Sequence, residues 1–344
     1  MSSKTYKALV VTAYDVNEPE LAVEERPIPE PAAGEVLVRI THRPVNPSDV
    51  LSVQGLYPGF EAKALPASPG QDGTGVVEAV GAGVEGFAVG DRVSGAPLAD
   101  STGEGSYREY ASIPSTRLVK VPDGVDAFQA AQFFINPVTA YMFFDLFGRL
   151  GLARPGDYVI NNAASSQLGR MVTRLGTKLG YKVIAVVRNA KWVDRLVEAG
   201  AVGVVVSSDE DVADAVRELT GGEGAAVALD PVLGPGAVQI GQALRKGGSV
   251  LAYGVLGGLE ATVSGIDLLF RGIVVRGAWI NTYVREILAS DQERKEVFDK
   301  VMQLVADGTL TTSVGETFTL EQAKQALEAE SKPGRETKVF LVSE

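Results

Sequence analysis

The reading of the fold turns on one stretch, Tyr158-Val159-Ile160-Asn161-Asn162-Ala163-Ala164-Ser165-Ser166-Gln167-Leu168-Gly169. Its first five residues make a short apolar strand. The small residues that follow allow a close backbone approach, and residues 167–179 carry helical spacing. Such a turn suits a pyrophosphate: the first N–H groups of a helix have no partner within it, and the helix dipole is positive there. The usual GxGxxG is absent, and only Gly169 stands where the helix must pack closely. Taken alone, the stretch is equally a plain strand–turn–helix.

Its surroundings raise its meaning. Apolar strands recur at residues 182–187, 202–207, 225–230, 249–254 and 273–278. Helices are expected near 191–199, 209–219 and 235–244. Continuous apolar strands alternating with helices predict a parallel sheet covered on both faces, and six of them match a doubly wound dinucleotide-binding fold. Upstream the texture differs. Residues 10–12, 35–41, 75–80 and 108–113 are short β-branched runs between Gly/Pro/Asp turns, and 73–90 is dense in glycine. This predicts a partly open β-barrel with little helix before about residue 126. Helices follow at 127–134 and after Asn136-Pro137. Downstream, a helix at 293–306 precedes strands at 314–319 and 338–342 around a helix at 320–329. The expected organisation is a barrel domain of residues 1–125 and 308–344, and a doubly wound domain of residues 126–307.

Composition narrows the chemistry. The chain has 344 residues, 45% hydrophobic and 22% charged, with 32 basic and 43 acidic residues and a net charge of −11. Nucleic acid and anionic membranes need a basic surface, so neither is expected as a partner. There is no cysteine and a single histidine, His42. Disulfides, thiolate metal sites, cysteine nucleophiles and an HExxH site are thereby excluded. The longest uncharged run, between Asp126 and Asp145, contains Gln129, Gln132, Asn136 and Pro137, and reads as a buried helix plus loop rather than a membrane span. No targeting segment is visible, and a cytoplasmic protein is expected.

Few residues point to chemistry unaided. Arg188, at the end of the second parallel strand, stands where an NAD-selective fold tends to carry Asp or Glu; a permanently charged fork suits a 2′-phosphate, or is a solvated surface arginine. Tyr57, in Gln54-Gly55-Leu56-Tyr57-Pro58-Gly59, is a loop aromatic or a phenol that donates to an oxyanion. His42 reads as structural or exposed, and Trp279 as core or pocket wall. Neither GxSxG nor GxxxxGK[ST] occurs.

The order of parts resembles the medium-chain dehydrogenase/reductase superfamily over essentially the whole chain. Val45-Asn46-Pro47-Ser48-Asp49 and Pro69-Gly70-Gln71-Asp72-Gly73-Thr74-Gly75 are similar to its barrel-domain motifs. The resemblance implies a GroES-like barrel as catalytic domain and a Rossmann cofactor domain. Zinc-dependent members carry Cys in place of Asn46 and a His-Glu pair in place of Gln71-Asp72, so the resemblance implies a branch without a metal.

Within that branch the chain resembles the mitochondrial-type 2-enoyl thioester reductases. The segment from Asn46 to Tyr57 is similar to the one bearing their catalytic tyrosine, which falls on Tyr57. Asn136-Pro137-Val138-Thr139-Ala140-Tyr141 resembles their cofactor-contacting NPxTAY and brings in Asn136 and Thr139. The resemblance puts phosphate binding on Ser165, Ser166, Gln167 and Leu168. It puts the 2′-phosphate on Arg188, with Lys191 in reserve because Ala190 falls where the family has a second arginine. Tyr253-Gly254-Val255-Leu256, Trp279, Asn46 and Lys338 complete the implied cofactor set. The expected activity is NADPH-dependent reduction of an activated C=C bond, most simply a trans-2-enoyl thioester, with hydride delivered to the β-carbon and Tyr57 as hydrogen-bond or proton donor. A quinone or alkenal reductase is the alternative, and a non-catalytic NADP(H)-binding protein the alternative of another class. The resemblance also implies a homodimer joined near 273–278.

Overall fold

The computed structural model describes residues 4–58, 60, 64–95 and 104–343. The chain forms two units, one of Met1–Pro137 and Asp291–Glu344, the other of Val138–Ser290. Residues 126–137 and 291–307, expected in the doubly wound domain, thus fall in the first unit. Aromatic packing explains why: Phe128 meets His42 and Phe340 edge-on, with ring centroids 4.7 and 5.0 Å apart, and Phe133 in turn meets Phe298 of the helix Asp291–Ala306 at 5.9 Å. The Gln129 side chain also brackets Thr312, donating to its carbonyl and accepting from its N–H.

The strands of the first unit are β1 (Thr5–Ala13), β2 (Glu20–Pro27), β3 (Glu35–Pro44), β4 (Thr74–Val80), β5 (Arg92–Gly95), β6 (Tyr110–Pro114) and β7 (Leu118–Lys120). The second unit supplies β8 (Tyr158–Asn162), β9 (Lys182–Val187), β10 (Gly203–Val206), β11 (Ala225–Asp230), β12 (Leu244–Ala252) and β13 (Val274–Gly277). The first unit then closes with β14 (Val314–Phe318) and β15 (Lys338–Val342).

In the first unit β1 and β2 pair antiparallel, and a larger sheet runs β14-β15-β3-β4-β5-β7, with β6 pairing the first half of β3 and β15 its last residues. Alternation along β3 puts Val36, Val38 and Ile40 on one buried face with Val77, Val93, Ala111 and Ile113. A second core gathers Leu9, Val11, Val45 and Val53 with Leu320, Ala326 and Leu327 of the C-terminal segment. No element is expected at 47–53, yet a helix forms at Pro47–Val53. Pro47 suits the first helical position, and the Asp49 carboxylate reaches back to the Asn46 N–H at 2.8 Å.

In the second unit all strands are parallel, in the order β10-β9-β8-β11-β12-β13. This is the doubly wound order, and the chain reverses direction across the sheet between β8 and β11. Ile160, Ile184, Val205, Ala228 and Val250 fill one face; Ala164, Ala185, Val187, Trp192 and Leu196 fill the other. The sixth strand departs from the expected apolar pattern: β13 is an edge strand, and all four of its residues are exposed.

Candidate functional site

In the second unit, the ends of β8, β11 and β12 bring polar groups together at the reversal point. Ser166 caps the helix Gln167–Lys178, its hydroxyl accepting the Gly169 N–H at 3.0 Å. Gly169 is required there: a Cβ on it would lie 2.6 Å from the Ala163 carbonyl oxygen and 2.7 Å from the Ala164 Cα. Ala163 itself takes a left-handed conformation with φ 54°, which folds the turn back on the helix. Asn161 locks this arrangement from below, its amide donating to the Gly169 carbonyl and to the Thr173 hydroxyl. Ser165, Ser166, Gln167 and Leu168 remain half-buried around the open helix end.

Across the reversal point the Asn162 amide donates to Asp230 Oδ1 at 2.8 Å, and that oxygen also accepts the N–H groups of Val232 and Leu233. Tyr253 follows β12; its ring packs on Phe143 with centroids 4.7 Å apart, and burial together with Asp230 raises its phenol pKa. Gly254 lies so close to Pro231 that a Cβ would meet the Pro231 carbonyl oxygen at 2.9 Å. Val255 is half-buried, whereas Leu256 and Trp279 are exposed. Thr139 is buried at the start of the helix Thr139–Leu150.

At the end of β9 a cluster forms that the sequence reading only half foresaw. Arg188 and Lys191 are exposed, as a phosphate site requires. Beside them the buried Trp192 ring is faced by Arg170 at 5.0 Å, Arg195 at 5.2 Å and Lys191 at 5.6 Å. Arg170 is also tied to the turn, donating to the Ser165 carbonyl and to Gln167 Oε1. Arg170 and Arg195 escaped the sequence reading. Their signal was a tryptophan three residues from Arg195 with an arginine on the helix behind the turn, which is legible only once β8 and β9 are neighbours.

In the first unit Asn46, Tyr57, Asn136 and Lys338 are placed. Tyr57 is half-buried against the core that holds Leu9 and Val53, in the turn that follows the helix Pro47–Val53. Its N–H is donated to the Leu51 carbonyl and its carbonyl accepts from Phe60. The turn is braced by Tyr14, whose hydroxyl donates to the Phe60 carbonyl at 2.8 Å.

Asn46 and Lys338 are sealed inside the unit, 0% and 2% exposed. Lys338 Nζ donates to Asn46 Oδ1 at 2.7 Å, and Asn46 Nδ2 donates to Asp72 Oδ2 at 3.4 Å. Asp72 also accepts the N–H of Phe134 at 2.8 Å and of Ile135 at 3.1 Å, immediately before Asn136. Burial pushes the Asp72 carboxyl up to about 7, against the pull of those N–H groups. Asp49, equally buried, is pushed up to about 6 and accepts from the Tyr107 hydroxyl. Burial lowers the Lys338 ammonium, while Glu330, whose Oε1 lies 4.0 Å away, works against that shift.

These contacts bear on zinc, whose ligands in zinc-dependent members of the superfamily fall at Asn46, Gln71 and Asp72. At the three ligand positions stand two amides and one carboxylate. Asn46 Oδ1 is taken by an ammonium and Asp72 by three donors, so a cation there would face Lys338 and displace every partner. The residues do not fit the metal. Among the described residues no group of three or more His, Cys, Asp or Glu is placed to hold one. His42 is a packed ring, edge-on to Phe128 at 4.7 Å, with its pKa lowered by burial and by Arg43. Among the described residues no helix is long and apolar enough to cross a membrane.

Comparison with known proteins agrees with this anatomy. Residues 32–123 match the alcohol dehydrogenase GroES-like domain, and residues 168–307 match the family described as zinc-binding dehydrogenase. The mitochondrial enoyl-[acyl-carrier-protein] reductase of Rattus norvegicus is 33% identical over 304 residues, 87% of this chain and 79% of that protein. The Homo sapiens protein of the same name is 31% identical over 312 residues, 90% of this chain and 81% of its own length. Among solved structures, a Bacillus thuringiensis protein assigned as an NADPH:quinone reductase superposes with a TM-score of 0.89 at 30% identity, covering 99% of this chain and 100% of that one. The chain belongs to the medium-chain dehydrogenase/reductase superfamily of oxidoreductases, with enoyl-[acyl-carrier-protein] reductases among its sequence relatives and a quinone reductase fold as a structural neighbour.

Proposed function

We propose that the protein is an NADPH-dependent reductase of an activated C=C bond, with a trans-2-enoyl thioester as the substrate class. The observation that carries the cofactor part is the β8 and β9 strand ends. There a glycine-dependent turn presents a helix N-terminus, Arg170, Lys191 and Arg195 gather on the Trp192 ring, and exposed Arg188 follows β9. The turn would hold the pyrophosphate through Ser165, Ser166, Gln167 and Leu168, and the cations would hold a 2′-phosphate. When bound, NADPH supplies a hydride equivalent. Tyr253, Gly254, Val255, Leu256, Trp279, Thr139 and Asn136 are the remaining candidates for holding the cofactor. The substrate class rests on the sequence relatives and on Tyr57 falling at their tyrosine position.

The residues of this chain have a definite task in that reaction. Reduction at the β-carbon leaves negative charge on the thioester carbonyl oxygen, and with no metal fitting at Asn46, Gln71 and Asp72 that charge must be met by hydrogen-bond donors. We assign that donor to Tyr57, whose phenol O–H can give a hydrogen bond to the oxygen or a proton to the α-carbon. Tyr57→Phe should lower turnover by well over tenfold, beyond the tenfold per 1.36 kcal/mol that one weak contact represents. NADPH affinity measured by fluorescence titration should stay near that of the unmodified protein. Full turnover in the variant would remove Tyr57 from the chemistry.

A panel of acceptors separates the readings. NADPH oxidation with crotonyl-CoA, and little with a quinone or a simple enal, is expected. A quinone as the preferred acceptor would favour the alternative supported by the Bacillus thuringiensis neighbour. NADPH binding with no turnover of any acceptor would leave a non-catalytic binding protein. The exposed edge of β13, flanked by exposed Leu269, Phe270 and Trp279, supports pairing with a second copy through that strand. Light scattering should then give a mass about twice the 36.2 kDa of the chain, and a monomer mass would exclude the dimer.

A further inference from the structure

Lys338, Asn46 and Asp72 form a chain in which each group has one permitted role. An ammonium only donates; a carboxylate only accepts. The Asn46 amide between them therefore has its oxygen toward Lys338 and its nitrogen toward Asp72, as the 2.7 Å and 3.4 Å contacts record. Asp72 then meets donors alone: the Asn46 amide and the N–H groups of Phe134 and Ile135. Those two N–H groups need such a partner. The helix Ala127–Ala131 has already ended, and the wide turn Phe134–Val138 that follows contains Pro137, so its first N–H groups lack helical acceptors. The backbone that carries this carboxylate is held in place, because the Ser106 hydroxyl donates to the Asp72 backbone carbonyl at 2.5 Å and Arg43 Nε donates to the Ser106 carbonyl at 2.9 Å.

We propose that Asp72 is a positioning residue: its carboxylate fixes the turn that presents Asn136, and the buried Lys338–Asn46 pair fixes which way that carboxylate faces. Asn46 and Lys338 thus act on the cofactor site through Asp72 and the 134–135 backbone. The inference rests on Asn136 being a cofactor contact. It gives a use to the carboxylate that stands at a metal-ligand position of the superfamily. The chain also explains why an isosteric change is not neutral. An amide at position 72 must turn an N–H toward one of three donors, and a flip of Asn46 to relieve this turns its own N–H groups toward the Lys338 ammonium.

The test is direct NADPH binding by fluorescence titration to the full-length protein and to Asp72→Asn, Asn136→Ala and the double variant, with amide hydrogen exchange at Phe134 and Ile135. Each single change should weaken binding by about fivefold or more, and the double should be no more than about twofold worse than the weaker single, because two residues acting through one contact do not add. Exchange at Phe134 and Ile135 should speed up in Asp72→Asn by about tenfold or more relative to the flanking amides. If Asp72→Asn does not fold, Asp72→Glu replaces it; the carboxylate is kept but displaced by one methylene, and the same weakening and non-additivity are expected. Binding within about twofold of the unmodified protein, multiplicative effects in the double, or unchanged exchange would each overturn the inference. Failure of the unmodified protein to bind NADPH overturns the cofactor reading instead, and with it the functional half of the inference. Exchange at 134–135 then still decides whether Asp72 sets the turn.

Discussion

The two units treat the polar groups at their strand ends in opposite ways. In the parallel-sheet unit, the turn after β8 stays half-exposed, the helix end behind it is open, and Arg188 and Lys191 reach solvent. In the mixed-sheet unit, Asn46, Asp72 and Lys338 are 0%, 1% and 2% exposed and consume one another's hydrogen bonds. A site for a ligand that comes and goes keeps its polar groups within reach of solvent. A sealed cluster cannot bind anything without breaking itself, so its value lies in the shape it imposes on the backbone around it. Arg43 is the extreme of the second kind: fully buried, it makes no ion pair within 4 Å among the described residues and donates to the carbonyls of Ile40, Ser106 and Arg108.

Four changes would break or sharpen that contrast. The largest effect is expected in the sealed unit. Arg43→Met withdraws at least two charge-assisted bonds from buried carbonyls and should cost on the order of 4 kcal/mol in chemical denaturation. A loss under about 1 kcal/mol would mean that the cluster is not what holds this unit. In the open unit, Gly169→Ala should cost about 1–3 kcal/mol, because the added methyl meets backbone atoms of Ala163 and Ala164 that no rotamer can move. It should also weaken NADPH binding, since the turn must open to admit the methyl.

Arg188→Ala should leave stability alone and act on recognition: NADPH affinity should fall by about tenfold, the equivalent of one lost charge-assisted contact, while NADH affinity holds. An equal loss for both cofactors would place Arg188 away from the 2′-phosphate. The smallest effect is on pH dependence. Native Asp49, its carboxyl pushed up to about 6 by burial and its Oδ1 without a hydrogen-bond partner among the described residues, holds a proton that the unfolded chain releases near pH 3.9. The native state therefore binds more protons than the unfolded state across that window, and unfolding free energy should fall as pH rises from about 4 to about 6. Asp49→Asn should flatten that slope; an unchanged slope would assign it to other groups.

The same contrast explains what the sequence made legible. The β8 turn is local: strand, small residues, cap and helix follow one another within twelve positions, so Tyr158–Asn162 and the helix from Gln167 are found where the pattern puts them. The strands Lys182–Val187, Ala225–Asp230 and Lys338–Val342 also stand at their expected bounds, because buried apolar runs between turn residues have few alternatives. The sealed cluster is not local. It joins residues 46, 72, 134–135 and 338, and nothing in those segments alone tells which donor meets which acceptor. Lys338 and Asn46 were thus read as cofactor contacts by resemblance, with no sign of their burial. The domain border shifted for a related reason. The helix Asp291–Ala306 carries an amphipathic pattern that fits either unit, and the choice rests on Phe298 meeting Phe133, whose own segment is held by Phe128 packing on His42 and Phe340. The exposed edge strand β13 was misjudged because an apolar edge has the composition of a buried strand.

The central claim is reduction of an enoyl thioester at the expense of NADPH. Its most direct test is incubation with crotonyl-CoA and NADPH, with butyryl-CoA measured by mass spectrometry and NADH run in parallel. Butyryl-CoA should form in step with NADPH consumed, and about tenfold or more slowly with NADH, in line with a charge-assisted 2′-phosphate contact. No butyryl-CoA with either cofactor, or equal rates with both, would contradict it.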